Sequence, residues 1–531
     1  RQGRDRLHSH LRTDQSARCR GRQRRTDIAR LSNATLAALG TGTGAGADAH
    51  HGTAAAPQSL LPRGDVRPGI VHLGLGAFAR AHTAVFTENA MLASGDFSWG
   101  IVGVTQRSDT VARQLAPQDG LFTVAERGAG AAPLRVVSSI VEAISGRDRP
   151  DTVVDRIAAA ATRVVTLTVT EKGYRIDPQT GSLNTADEQV QADLAGNPPQ
   201  TAIGQIARGI QQRSRTGAGP LTVLSCDNLP ANGKLTGTLV RAFAAALPAA
   251  ESGPLLAWLD ANVTFPSTMV DRMVPATTDG DLDAVEHELG LRDEAAVVAE
   301  PFMQWVIEDT FAAGRPAWEE AGALFSTDVA AWEAAKLRLL NASHSMLAYL
   351  GLATGKTTIA DAVGENAFRL ACSRMMAGDA LPVIELPDGL DGETYCANVL
   401  ERFANPALGH TTAKVGSDGS QKIGLRLLTT IRANLDAGRE PLWAALAVAA
   451  WMHHVASTPT ADLNDPLAAE LHAALPDTRT AATVVPALLG FGGIFDPELA
   501  AHRGFADLLL HWYRIIDTQG LDGLRNEINH G

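Results

Sequence analysis

From residue 66 onward, short apolar runs alternate with longer amphipathic stretches. Residues 70–73 (IVHL) have a strand pattern that stops at Gly74, and helical spacing then carries on to Met91. A second apolar run, WGIVGVT (99–105), follows. RVVTLTVTEKGY (163–174) and LTVLSCDNL (221–229) each read as a strand leaving into a loop, and LLAWLDANVTF (255–265) continues that β-rich series. Between them AIGQIARGIQQR (202–213) is helical. Alternation on this scale predicts an α/β domain on a mostly parallel sheet. After about Ala321 the texture changes to alanine- and leucine-rich helical patterns, as in 332–351 and 441–455. A mainly α-helical second domain is therefore expected, with the boundary near 318–328. The division is 64–322 and 323–520, with 521–531 as a C-terminal tail.

Composition adds exclusions. At 531 residues the chain can fill two cores. Residues 1–25 are rich in arginine and almost free of core residues, and 41–60 have the low complexity of a linker. Residues 1–63 are expected to be a disordered or non-native extension; a nucleic-acid arm and an organelle-targeting peptide are the alternatives. No apolar h-region is present, which excludes a secretory signal. A net charge of −12 argues against nucleic acid as a partner. No run of 18 apolar residues predicts a membrane span. The four cysteines, Cys19, Cys226, Cys372 and Cys396, show no CxxC spacing. They imply neither a disulfide framework nor a thiolate metal site and fit a reducing, cytoplasmic setting. Cys226 reads as a small buried hydrophobe. No metal is expected. His453 and His454 are adjacent and cannot project together from a helix, and Asp227 with Asp271 is a thin ligand set. GLATGKTT (351–358) has one residue too few for a triphosphate loop and follows a helix.

Two segments carry chemistry. In IVHLGLGAFARAH (70–82), Gly74, Gly76 and Ala79 match G-x-G-x-x-A between strand and helix. The first glycine makes the tight turn, the second lets backbone approach a pyrophosphate, and the small third residue lets helix pack on strand. Gly74, Gly76, Phe78 and Ala79 are thus candidates for dinucleotide contact. Asp109, beyond the second strand, is the candidate acid for the ribose hydroxyls and points to NAD. Arg107 beside it could instead welcome the 2′-phosphate of NADP, which is not excluded. The second segment is KLRLLNASH (336–344). At 100° per residue, Lys336, Asn341 and His344 can face one cleft. A solvated lysine beside a packing asparagine and histidine would look the same. Hydride transfer would give the three a joint purpose: a lysine to take the hydroxyl proton and an amide to hold the developing alkoxide.

Taken in order, GLGAFARAH, QLAPQDGLFTV (114–124), SCDNLPANG (225–233), NVTFPSTMVDR (262–272), KLRLLNASH, ERFANP (401–406) and DGSQK (418–422) resemble the polyol-specific long-chain dehydrogenases. That group includes mannitol 2-dehydrogenases and fructuronate reductases. The resemblance covers residues 66–520. It implies a Rossmann-type first domain, a mainly helical second one, substrate between them, NAD or NADP without a catalytic metal, and a monomer. It implies that Lys336 is the general acid/base, that Asn341 and Asn232 stabilise the oxyanion, and that His344, Asp271 and Lys422 bind substrate. Lys414 stands where the mannitol enzymes carry arginine, and DGSQKIG replaces DGSQKLP. Lysine keeps the charge and loses the planar fork. D-mannitol/D-fructose is the first expected substrate pair, and a hexuronate is the alternative, for which Lys414 and Lys422 would serve a carboxylate.

Overall fold

The structure is a computed structural model that describes residues 28–40 and 61–530. It divides into two compact units, one ending at Thr327 and the other starting at Asp328.

The first unit is built on six parallel strands: β1 (Pro68–Leu73), β2 (Gly100–Thr105), β3 (Ile140–Ser145), β4 (Val164–Leu167), β5 (Leu221–Ser225) and β6 (Val263–Thr264). Their order across the sheet is β3-β2-β1-β4-β5-β6. The chain therefore builds outward from β1 in one direction, then returns and builds in the other. Near-continuous apolar runs are what a parallel sheet covered on both faces requires. Ile70, Ile101 and Val164 pack into one core with the helix Thr83–Ser94. Val71, Leu73, Val102 and Val165 pack into another with the helices Pro150–Ala158 and Ala202–Thr216.

Two expectations change here. Residues 255–262 are not strand but the end of the helix Ala249–Asn262, and only Val263 and Thr264 join the sheet. Leu255 and Leu259 are the buried pair, four residues apart, so the apolar run has helical period. Part of the supposed extension also belongs to the fold. Leu31 and Leu36 are buried with Leu121, Val136 and Leu289, and Leu31 N–H donates to Arg292 O at 2.8 Å. Leu61 is buried, and Arg63 donates to the carbonyls of Ser138, Ile140 and Asp119. The rest of that stretch, 1–27 and 41–60, lies outside the described residues.

The second unit is helical. Leu442–Ser457 is apolar nearly all round and is buried accordingly, packing on Ala342–Ala353 and on Arg503–His530. Arg503–His530 turns at Gly520 (φ 58°, ψ −142°) and continues, burying Leu524 and Ile528. The residues expected as a tail are thus packed, because a glycine kink resets the helical face. No helix among the described residues is long and apolar enough to cross a membrane.

Within β1, His72 is fully buried between the hydroxyls of Thr166 (2.7 Å) and Thr168 (2.9 Å). Burial pushes its imidazole down to about 4 from the usual 6.5. A neutral buried histidine stabilises the fold above the unfolded-state pKa, and that contribution is lost as pH falls toward the folded one. Between pH 6.5 and 4 the loss at this group is about 3 kcal/mol. Calorimetric Tm measured from pH 7 to 4 should therefore fall less steeply for His72→Gln than for the parent chain; parallel curves would refute the assignment.

Candidate functional site

Where β1 ends, the backbone must turn under the end of β4. Gly74 does so with φ +98°, and a Cβ there would lie 2.1 Å from the carbonyl oxygen of Thr168. Its N–H donates to Val104 O at 2.8 Å, and the Thr168 hydroxyl donates to its carbonyl at 2.8 Å. Gly76 differs. A Cβ on it would meet only Gly74 O, at 3.7 Å, and its φ of −104° suits any residue. Glycine is thus dispensable for the fold at that position and leaves room for a ligand.

Both glycines open on a cavity of about 830 Å³ at the carboxyl ends of β1, β2 and β4, where the strand order reverses. This is where doubly wound sheets bind dinucleotides. Its wall includes Thr105, Arg107, Arg147, Thr168, Lys172 and Arg175. The loop after β4 is pinned by Asp227, whose carboxylate accepts from the N–H of Val169 (3.0 Å) and Thr170 (2.9 Å) and from the Tyr174 hydroxyl (2.8 Å). These bonds hold Thr170 at φ +68°, a costly conformation for threonine. Burial pushes the Asp227 carboxyl up, and the three donors work against that.

The other expected cofactor residues divide. Ala79 is buried in the core and Phe78 stacks on His82 at 4.8 Å, so both support the turn from behind rather than line the cavity. Asp109 is also off the wall. It precedes the helix Thr110–Leu115 and pairs with Arg113 at 3.0 Å. Lys172 lies in the EKG segment where the β4 run leaves into its loop, whereas Arg147 and Arg175 were missed by the sequence reading.

Asn232 and Asp271 also belong to the first unit. The Asn232 amide donates to the carbonyls of Asp227 and Thr268, both at 2.9 Å, and its oxygen accepts from Thr268 N–H at 2.9 Å. Both of its N–H groups are engaged, so it clamps the SCDNLPANG loop to the strand Thr268–Asp271 instead of presenting a donor to an oxyanion. Asp271 ends that strand, buried.

In the second unit, the helical run Val329–Ala335, Lys336–Asn341, Ala342–Ala353 widens into a π-turn over Lys336–Asn341. A turn closed i→i+5 advances less than 100° per residue, which aligns Lys336 with Asn341 more closely than an α-helix would. Lys336 is buried. The π-turn packs against a second one, Gly424–Leu428, and Arg426 donates from there to Asn341 O (3.3 Å) and Ser345 Oγ (3.0 Å). His344 stacks on Phe403 at 4.7 Å, with His410 6.0 Å away, and its Nε2 is buried without a hydrogen-bond partner. Burial, then the neighbouring His410 and the cations Arg426, Arg402 and Lys422, hold its imidazole well below the usual value, and burial lowers His410 as well. Lys422 is half-buried and donates to Ser417 O at 2.5 Å, whereas Lys414 is exposed. His410, Arg402 and Arg426 were not picked out from the sequence, although His410 and Arg402 fall in or beside the ERFANP motif.

Residues 68–320 match the family model described as Mannitol dehydrogenase Rossmann domain, and residues 328–516 the one described as Mannitol dehydrogenase C-terminal domain. D-mannonate oxidoreductase of Escherichia coli (strain K12) is 40% identical over 461 residues, covering 85% of this chain and 93% of that protein. A mannitol 2-dehydrogenase of Pyrenophora tritici-repentis is 34% identical over 438 residues, covering 81% and 77% respectively. Among solved structures, the Pseudomonas fluorescens mannitol 2-dehydrogenase ternary complex with NAD and D-mannitol is similar, with a TM-score of 0.79 and 34% identity over 89% of this chain and 96% of that one.

The two glycines make separable predictions. Gly74→Ala should lower stability by about 2–4 kcal/mol, read as Tm, because both φ and the Thr168 carbonyl oppose it. Gly76→Val should leave Tm nearly unchanged and abolish dinucleotide binding measured by NADH fluorescence. Unchanged NADH affinity in Gly76→Val would show that the cavity is not the dinucleotide site.

Proposed function

The chain belongs to the mannitol dehydrogenase family of NAD(P)-dependent oxidoreductases, and we propose that it interconverts a secondary alcohol of an open-chain sugar acid with the matching ketone. The observation that carries this is the surroundings of His344. A buried, unpartnered imidazole nitrogen sits among His410, Arg426, Arg402 and Lys422 on the helical run that bears Lys336 and Asn341. Such a cluster suits a substrate carboxylate. The likeness to a D-mannonate oxidoreductase supports the same class. We therefore place a hexonate/hexuronate pair first. The second reading is D-mannitol/D-fructose, favoured by the likeness to the mannitol 2-dehydrogenase complex.

Gly74 and Gly76 would admit the pyrophosphate of NAD(H), with the Thr168–Gly173 loop as the facing wall. The bound nicotinamide supplies hydride acceptance or donation. Lys336 takes the hydroxyl proton as the alcohol is oxidised and returns it to the oxygen on reduction. Asn341 donates to that oxygen as its charge develops. His344 and Lys422 orient the remaining hydroxyls or the carboxylate, Lys414 attracts the anion from an exposed position, and Asp271 receives a hydroxyl. Asn232 keeps Asp227 and the Asp271 strand in place.

Lys336→Ala should lower kcat by about 100- to 10,000-fold while NADH still binds. A normal maximal rate with an unaltered pH profile would remove Lys336 from the chemistry. With NADH, kcat/KM for D-fructuronate should exceed that for D-fructose by about 100-fold or more. Equal values, or a preference for fructose, would sink the sugar-acid assignment and leave the mannitol one.

A further inference from the structure

The wall of the dinucleotide cavity carries four cationic side chains, Arg107, Arg147, Lys172 and Arg175, and no carboxylate. Their surroundings differ. Arg175 is paired with Asp187 at 3.1 Å. Arg107 and Arg147 are exposed, and neither makes an ion pair among the described residues. Arg107 is the second residue past β2, and Arg147 the second past β3. In a doubly wound sheet, the exit of the second strand meets the adenosine ribose, and the side chain there selects the cofactor. An acid accepts the two ribose hydroxyls and repels a 2′-phosphate; an arginine does the reverse.

The nearest acid past β2 does not reach the cavity. Asp109 is turned to Arg113, and two side-chain contacts keep the loop in that arrangement. The Gln106 amide donates to Gln205 Oε1 at 2.9 Å, and the Ser108 and Thr110 hydroxyls lie 2.6 Å apart. The loop thus exposes Arg107 to the cavity, while its own carboxylate, Asp109, stays off the wall.

We infer that Arg107, with Arg147, seats the 2′-phosphate of NADP(H), so that the chain binds NADP(H) at least as tightly as NAD(H). This rests on the cavity being the dinucleotide site and adds a selectivity to it. A phosphate between two unpaired guanidinium groups gains charge-assisted bonds that a ribose hydroxyl does not.

The test is direct binding, by protein fluorescence titration with NADPH and with NADH, on the full chain and on Arg107→Ala and Arg107→Glu. Both variants change an exposed side chain and should fold. The expected result is a Kd for NADPH at or below that for NADH in the parent. Arg107→Ala should weaken NADPH by about ten-fold or more, and NADH by no more than about three-fold. Arg107→Glu should widen the gap. Competition by 2′,5′-ADP should exceed competition by 5′-AMP in the parent alone. The inference is overturned if the parent binds NADH more tightly than NADPH, or if Arg107→Ala leaves the NADPH Kd unchanged or shifts both Kd values alike. If neither dinucleotide binds the parent, the dinucleotide site itself is wrongly placed, which is a separate failure.

Discussion

The first unit depends on how closely the ends of β1 and β4 approach. Leu73 O accepts from Thr168 N–H at 2.9 Å, and one residue later Gly74 lies against the Thr168 carbonyl with no room for a side chain. The Thr168 hydroxyl joins the two strand ends. It donates to Gly74 O and lies 2.9 Å from His72 Nε2. With its proton given to Gly74, it can accept one from a neutral His72, which fits the low pKa of that imidazole. The strands must separate just beyond this junction, since the chain crosses over on opposite sides of β1. The cavity is the space left by that separation.

Polar groups then shape the cavity from behind. Asp227 stands one strand away on the β5 exit and holds the post-β4 loop by two backbone N–H groups and a tyrosine hydroxyl. Asn232, five residues on, fixes the loop that contains Asp227 and ties it to Thr268. A buried polar side chain with all its groups engaged acts as a rigid brace, since breaking any one bond would leave a donor or acceptor unsatisfied. The position that family resemblance assigns to substrate chemistry is occupied by such a brace.

In the second unit, the corresponding constraint is the π-turn at Lys336–Asn341. Widening the helix by one residue shifts the faces on either side of it. It also sets the Asn341 carbonyl within reach of Arg426, so a cationic side chain from the next helical layer is drawn to the same wall. π-turns cost helix energy and persist where they serve a geometry that an α-helix cannot supply. Here that geometry places a buried lysine and an asparagine in line, five residues apart.

The sequence alone was enough to read the parallel α/β unit, the helical unit after it, the Gly74–Gly76 turn and the residue types at 336, 341 and 344. Those follow from apolar periodicity and turn chemistry, which act within a few residues. It misread 255–262 as strand, where a buried pair four residues apart made a helix, and it left Leu31 and Leu36 outside a core whose other members lie far along the chain. Tertiary structure decided the rest. Asp109 turns from the cavity and Arg107 lines it because neighbouring side chains hold the loop that way. Asn232 is engaged by a carbonyl 36 residues away, and Asn341 meets an arginine 85 residues away. Hydrogen-bond partners at such separations leave no periodic trace in sequence, so side-chain identity was legible where side-chain commitment was not.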